Sequence, residues 1–194
     1  MMLAALLLVT QVTVQDPRLE RLDPDTRASV TALVDSARGA GLPTEPLVQR
    51  ALEGTTKGAT GARIVTAVRR LAGDLGTARI ALGTRAAISE LEAGVAALRA
   101  GASTQVLTNL RTARRGPLTM ALSVLADLVA SGVPADSAAA AVLALAPNAR
   151  DADLVDFRRA VERDIALGAP PVAAASVRLY SGADAASTPN PRRP

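Results

Sequence analysis

Histidine, cysteine and tryptophan are missing from the 194 residues, and phenylalanine and tyrosine occur once each. Each absence removes a chemistry. Without His, the chain lacks the side chain that most often moves protons near neutral pH. Without His or Cys, it lacks the ligands on which zinc, copper, haem and iron–sulfur sites depend. The absence of Cys also rules out disulfides, thiolate nucleophiles and a thiol-linked lipid anchor. The scarcity of aromatics leaves no stacking platforms for single-stranded nucleic acid or sugar rings. Lys57 is the only lysine, so the basic charge is almost entirely arginine.

What remains is an alanine-rich chain whose core must be built from Leu, Val, Ile and Ala. A chain of this length buries roughly 70% of its unfolded surface, so it needs no metal or disulfide staple. The net charge of +4 is unevenly spread. Residues 47–115 hold eleven basic and four acidic groups, whereas residues 116–168 hold four and seven. A basic middle of this kind either pairs with acidic groups in the same chain or faces an anionic partner.

The two ends differ from the body. Residues 1–15 open with MMLAALLLVTQVTV, whose run Leu3–Val9 is continuously apolar. That run is too short to span a bilayer, which takes about 20 residues. It matches the apolar region of a signal peptide, although no Lys or Arg precedes it and it lacks a clean small-x-small cleavage site. Export to the periplasm or the medium is therefore the expectation. The alternatives are a buried first element of a cytoplasmic protein or an uncleaved membrane-surface anchor. At the other end, residues 181–194 read SGADAASTPNPRRP, a composition that cannot build a core and predicts a disordered tail.

Residues 16–180 read as a single helical domain of about eight short helices. The clearest helix runs from Gly61 to Leu82. At 100° per residue it places Ile64, Val68, Leu71, Leu75 and Leu82 on one face, with Arg63, Arg70, Asp74 and Thr77 opposite. Further helices are expected at Pro24–Gly39, from Glu45 to before Gly58, Ile88–Ala100, Thr104–Arg115, Leu118–Ser131, Pro134–Ala146, Asp151–Leu167 and Pro170–Tyr180. Leu118–Ser131 is apolar nearly all round, which marks a buried central helix. The acids Asp151, Asp153 and Asp156 suit the N-terminus of the helix they open.

One punctuation recurs: Gly, then an apolar residue, then Pro, Ser or Thr. It stands at Gly41, Gly58, Gly101, Gly132 and Gly168. A left-handed Gly ends one helix, the next side chain packs back on it, and the third residue opens another helix. The intervals are 17, 43, 31 and 36 residues, too unequal for a regular solenoid. The fold expected is an all-α, irregular multi-helix bundle, with a degenerate α-helical repeat array as the alternative.

Chemistry is thinly supplied. The fragment Gly54-Thr55-Thr56-Lys57-Gly58 places its lysine before the second glycine and has no strand upstream, so it is no phosphate loop. A serine nucleophile would have no histidine base, and the lone lysine has no serine at the right spacing. Glu53, Glu90, Glu92 and Glu162 are the candidates for paired-carboxylate hydrolysis, but Glu90 and Glu92 are two apart on a helix and do not face each other. Neither a metal nor a cofactor is expected. The one functional surface in the pattern is cationic: Arg63, Arg69, Arg70, Arg111, Arg114 and Arg115 are candidate contacts to an anionic surface. Arg114 and Arg115 also suit a helix C-terminus, where the dipole favours cations. The expectation is a non-enzymatic, exported interaction or structural protein of a bacterial cell envelope. Its partner would be a protein or an anionic envelope component. The alternative is a cytoplasmic helical protein binding an anionic polymer or membrane surface through residues 47–115. Nucleic acid is disfavoured as a partner, since stacking aromatics are absent and no helix-turn-helix reading helix with base-reading Asn or Gln stands out, while binding to a duplex backbone stays open.

Overall fold

Glycine sets the helix boundaries in this chain. The computed structural model describes residues 16–187, and the side chains of 16–180. The apolar start and residues 188–194 of the tail lie outside the described residues. Among those described are a 3-10 helix (Pro17–Arg21) and nine α-helices, with no strand. The α-helices are α1 (Pro24–Gly39), α2 (Glu45–Thr56), α3 (Gly61–Leu82), α4 (Ile88–Arg99), α5 (Thr104–Ala113), α6 (Thr119–Ala130), α7 (Ala135–Leu145), α8 (Asp151–Ala166) and α9 (Pro171–Ser187). The protein is all-α, a multi-helix bundle.

All five punctuating glycines adopt positive φ, as does Gly83, which the recurring pattern does not contain. Gly132 shows how the corner works. Its φ is 95°, its amide donates to the Val129 carbonyl, and the Val133 amide donates to the Leu128 carbonyl. This double closure satisfies carbonyls that the end of α6 would otherwise leave open. Val133 is then buried against the helix just ended. The same pair of bonds recurs at Gly41, Gly58, Gly101 and Gly168. Gly83 instead opens a five-residue connection, residues 83–87, in which the Arg79 guanidinium donates to the Thr84 carbonyl at 2.6 Å.

Contacts group the chain into two compact units, residues 1–73 and 74–194, with the division inside α3. In the first unit, Asp23 caps α1 by accepting from the Thr26 amide at 3.0 Å. That bond holds the Asp23 carboxyl below its ordinary pKa. Helices α1 and α2 pack on each other and on the 3-10 helix, burying Leu19, Leu22, Val30, Val34, Leu47 and Val48. Gly61 lies so close to α1 that an added Cβ would fall 2.0 Å from Thr26 Oγ1. The apolar face read from the sequence is present: Ile64, Val68, Leu71, Leu75 and Leu82 are all buried, with Ala78 among them.

In the second unit α6 is the buried central helix, in contact with α4, α7 and α8. Leu118, Ala121, Leu122, Leu125 and Leu128 are fully buried along it. Helices of like parity pair: α4 with α6 and α6 with α8, α5 with α7 and α7 with α9. Together with the α6–α7 and α8–α9 hairpins, this gives two layers, the packing that stacked helical hairpins produce. The alanine run of α7 buries Ala138, Ala139 and Ala141, where small side chains let neighbouring helices approach closely.

Two boundaries differ by more than one residue from those the sequence predicts. Helix α5 stops at Ala113, because Arg114 takes an extended conformation (φ −110°, ψ 121°) ahead of Gly116-Pro117. Helix α9 continues past Tyr180 to Ser187, through a segment with Ala183, Ala185 and Ala186. Alanine is the best helix former, and a helix already docked by its first turns extends cheaply into such residues.

Candidate functional site

The six candidate arginines separate by their surroundings. Arg63, Arg69 and Arg70 lie on α3 within the first unit, and all three are exposed. Arg63 and Arg70 are two turns apart on one side of the helix, about 10 Å along the axis, and Arg69 stands about 100° round from Arg70. No carboxylate among the described residues pairs with any of them. Their exposed neighbours on the helix, Ala62, Thr66 and Gly73, are small.

Arg111, Arg114 and Arg115 belong to the second unit, and two of them are engaged inside it. Arg111 on α5 pairs through Nη2 with Glu90 Oε2 at 2.8 Å. Glu90, in the first turn of α4, is itself buried. Its Oε1 accepts from the Leu118 amide at 2.8 Å and its Oε2 from the Ala87 amide at 2.9 Å. Burial alone raises the Glu90 pKa, but the Leu118 and Ala87 amides and Arg111 together outweigh it and hold the carboxyl below its ordinary value. Glu90 is therefore a charged tie between α4, α5 and the start of α6.

Arg114 is more deeply held. Its side chain is only 10% exposed. Nε donates to the Pro117 carbonyl at 3.0 Å, and Nη1 donates to the carbonyls of Ala146 at 3.1 Å and Ala149 at 2.5 Å. Nη2 meets Asp151 Oδ1 at 2.6 Å. A cation at the C-terminal carbonyls of α7 is placed where the helix dipole favours it. The helix that benefits is α7, and not only α5, whose C-terminus Arg114 caps. Arg115, one residue on, is exposed.

The other candidate acids are spread out. Glu53 pairs with Lys57 at 2.6 Å and Arg50 at 3.1 Å, and Glu162 lies 3.8 Å from Arg158. Glu92 is exposed on α4. Asp153 folds back to accept from the Arg150 guanidinium at 2.9 Å and from its amide at 2.8 Å, and both bonds lower its pKa. Of the acids opening α8, Asp153 thus acts as a cap, while Asp151 pairs with Arg114 and Asp156 lies 3.9 Å from Arg159. Among the described residues no three His, Cys, Asp or Glu side chains gather as a metal would require. No described helix is long and apolar enough to cross a membrane.

Sequence spacing does not reveal the buried role of Glu90, because its partners come from residues 111 and 118 as well as its own turn. The one signal is a Glu in the first turn of a helix whose preceding amides need an acceptor. Comparison with protein-family models, curated proteins and solved structures finds no match to the chain.

Proposed function

We propose that the chain is a non-catalytic interaction module that meets an anionic polymer through Arg63, Arg69 and Arg70 of α3. The observation that carries this reading is the contrast between these three exposed arginines, gathered on one helix, and the many arginines that pair with carboxylates of the same chain. Arg18 bridges Asp16 and Glu45, Arg99 pairs with Asp74, Arg158 with Asp127 and Arg178 with Asp164. A chain that neutralises so many arginines internally, yet leaves three together on one helix, presents a cationic surface to solvent. The displaced carboxyl pKa values belong to caps and ion pairs, which supports binding over proton-transfer chemistry.

The test is retention on immobilised heparin, with the salt dependence measured. Affinity should fall steeply between about 50 and 200 mM salt, and Arg63→Glu/Arg69→Glu/Arg70→Glu should remove roughly two to three units of the log–log slope. Salt-insensitive retention, or an unchanged slope in the triple variant, would sink the reading.

A second reading is favoured by a separate observation, the uncharged apolar start of the chain. It makes the protein an exported structural or interaction component of a cell envelope. Intact-mass analysis of fractionated cells decides it. A mature chain lacking roughly the first 10–15 residues outside the cytoplasm supports export, and a full-length cytoplasmic chain removes it.

A further inference from the structure

The connection between α3 and α4 is built unlike the other corners, and it borders a cavity. Gly83, at a φ of 85°, turns the chain out of α3, and its amide donates to the Arg79 carbonyl at 2.9 Å. The Thr108 hydroxyl, shared between the carbonyls of Thr104 at 3.1 Å and Ala81 at 3.3 Å, lays α5 against the end of α3. One turn further along α5, Arg111 then stands beside the connection. Leu82, Gly83, Thr84, Arg85, Ala86 and Arg111 together line a cavity of about 370 Å³.

The wall of this cavity carries two guanidinium groups and no carboxylate. Arg85 is exposed and pairs with no carboxylate among the described residues. Arg111 turns Nη2 to Glu90, and the edge formed by Nε and Nη2 is buried. The Arg111 side chain is still 33% exposed, and its Nη1 has no acceptor among the described residues. The charge of Glu90 is already divided between Arg111 and the amides of Ala87 and Leu118. Arg79 brings a third guanidinium to the same connection, where its bond to the Thr84 carbonyl fixes the path of the chain. The Thr84 and Arg85 amides and the Thr84 hydroxyl donate to no protein acceptor among the described residues. The C-terminal carbonyls of a helix repel an anion. In α3 the carbonyls of Arg79 and Ala81 are already met by the Gly83 amide and the Thr108 hydroxyl.

We propose that this cavity binds a phosphate monoester, whose phosphoryl group meets Arg85 and Arg111, with the Thr84 hydroxyl and the Thr84 and Arg85 amides as further donors. A phosphoryl group carries close to two negative charges near neutral pH and three acceptor oxygens. Two guanidinium groups match that charge, and their planar forks match the oxygens. A carboxylate brings a single charge and leaves one of the two guanidinium groups unmatched. At about 370 Å³ the cavity stands at the small end of the range of ligand pockets, roughly 300–1,000 Å³. Leu82 and Ala86 give it an apolar wall for the esterified carbon. The same phosphoryl chemistry is offered by a soluble ester and by a lipid headgroup. The site lies in the second unit and does not rest on the arginine face of α3.

The test is a titration of the isotope-labelled full chain, read from the amide resonances of Thr84, Arg85 and Ala86. Glycerol phosphate is the probe, with sodium chloride and sodium acetate at matched ionic strength as controls. Saturable shifts with a dissociation constant on the order of 1 mM are expected. Arg85→Ala, a change at an exposed residue, should weaken binding roughly tenfold or more while resonances elsewhere stay in place. Arg111→Lys keeps a charge beside Glu90 but loses the fork, and should weaken binding several-fold. Arg63→Glu/Arg69→Glu/Arg70→Glu should leave it unaltered. Sedimentation with phosphatidylcholine vesicles containing phosphatidic acid separates the two sources. Co-sedimentation abolished by Arg85→Ala assigns the phosphoryl group to a lipid headgroup. Vesicles left unbound by a chain that binds glycerol phosphate assign it to a soluble ester. The proposal is overturned by the absence of saturable shifts up to about 20 mM, by equal shifts with acetate or chloride, by unaltered binding in Arg85→Ala, or by loss of binding in the triple α3 variant.

Discussion

The Arg114 guanidinium and the Ala146 carbonyl, far apart in sequence, meet at 3.1 Å at the C-terminal end of α7. With Pro117, Ala149 and Asp151 as its other partners, this one side chain joins the segment after α5 to the end of α7 and the start of α8.

Replacing Arg114 should therefore be among the costliest single changes on a charged residue. Arg114→Ala strands carbonyls in a half-closed corner and should lower stability by about 2–4 kcal/mol. Arg114→Lys keeps the charge but not the planar fork and should recover less than half of that. Urea denaturation followed by circular dichroism measures both. A loss in Arg114→Ala no greater than that of an exposed Arg115→Ala would show that the bonds contribute little.

Glu90 makes the stability of the second unit sensitive to acid. Its folded pKa lies below the ordinary carboxyl value of 4.5. Its contribution is therefore fully present above that value and is lost as the pH falls through the lower, folded one. Asp164, held low by Arg178, adds to the same loss at the acid end. Glu90→Gln should lower stability near neutral pH by about 1–3 kcal/mol and flatten part of the fall below about pH 4.5. Thermal melts of parent and variant across that range provide the check, and parallel pH profiles would contradict the assignment.

Glycines in helices should respond according to their surroundings. Gly76, inside α3, has nothing within 4 Å of where a Cβ would stand. Gly76→Ala should stabilise by about 0.5–1 kcal/mol through helix propensity alone. In α4, a Cβ on Gly94 would stand 3.0 Å from Leu82 and 3.4 Å from both Ala78 and Leu107. Gly94→Ala should fall short of the Gly76 gain or reverse its sign. Gly132→Ala, at a φ of 95°, should cost about 1 kcal/mol or more. The order Gly76, Gly94, Gly132 in denaturation midpoints is the quantity to measure.

The central helix should be the least tolerant of truncation. Leu125, in the middle of α6, has 0% of its surface accessible to solvent. Leu125→Ala should cost about 2–5 kcal/mol, depending on how far α4, α7 and α8 collapse into the space. The outward α9 change Val172→Ala should cost well under 1 kcal/mol. Comparable losses at the two positions would contradict the burial pattern.

Much of the fold was legible locally. The amphipathic face of α3, the caps at Asp23 and Asp153 and the five Gly-containing corners all depend on residues within a few positions of one another. Their physics is complete in a short window of sequence. Gly83 escaped because its connection is longer and lacks the capping residue that marks the other corners. Among the six candidate arginines, the sequence set apart only Arg114 and Arg115, by their place near a helix end. Arg111 and Arg114 became internal ties only when Glu90 and the carbonyls of α7 came within reach of them, through contacts spanning tens of residues.

By itself, then, the sequence determined that this chain is helical, where its helices turn, which faces are apolar and which chemistries its side chains cannot supply. Those properties come from backbone preference and helical periodicity, both local. Tertiary structure alone decided which arginines are consumed as internal ties and which stay on the surface. It also decided that Ala141 of α7 is buried while Val177 of α9 lies open. Ion pairing and burial are properties of what is near in space, and no local pattern encodes which distant helix arrives there.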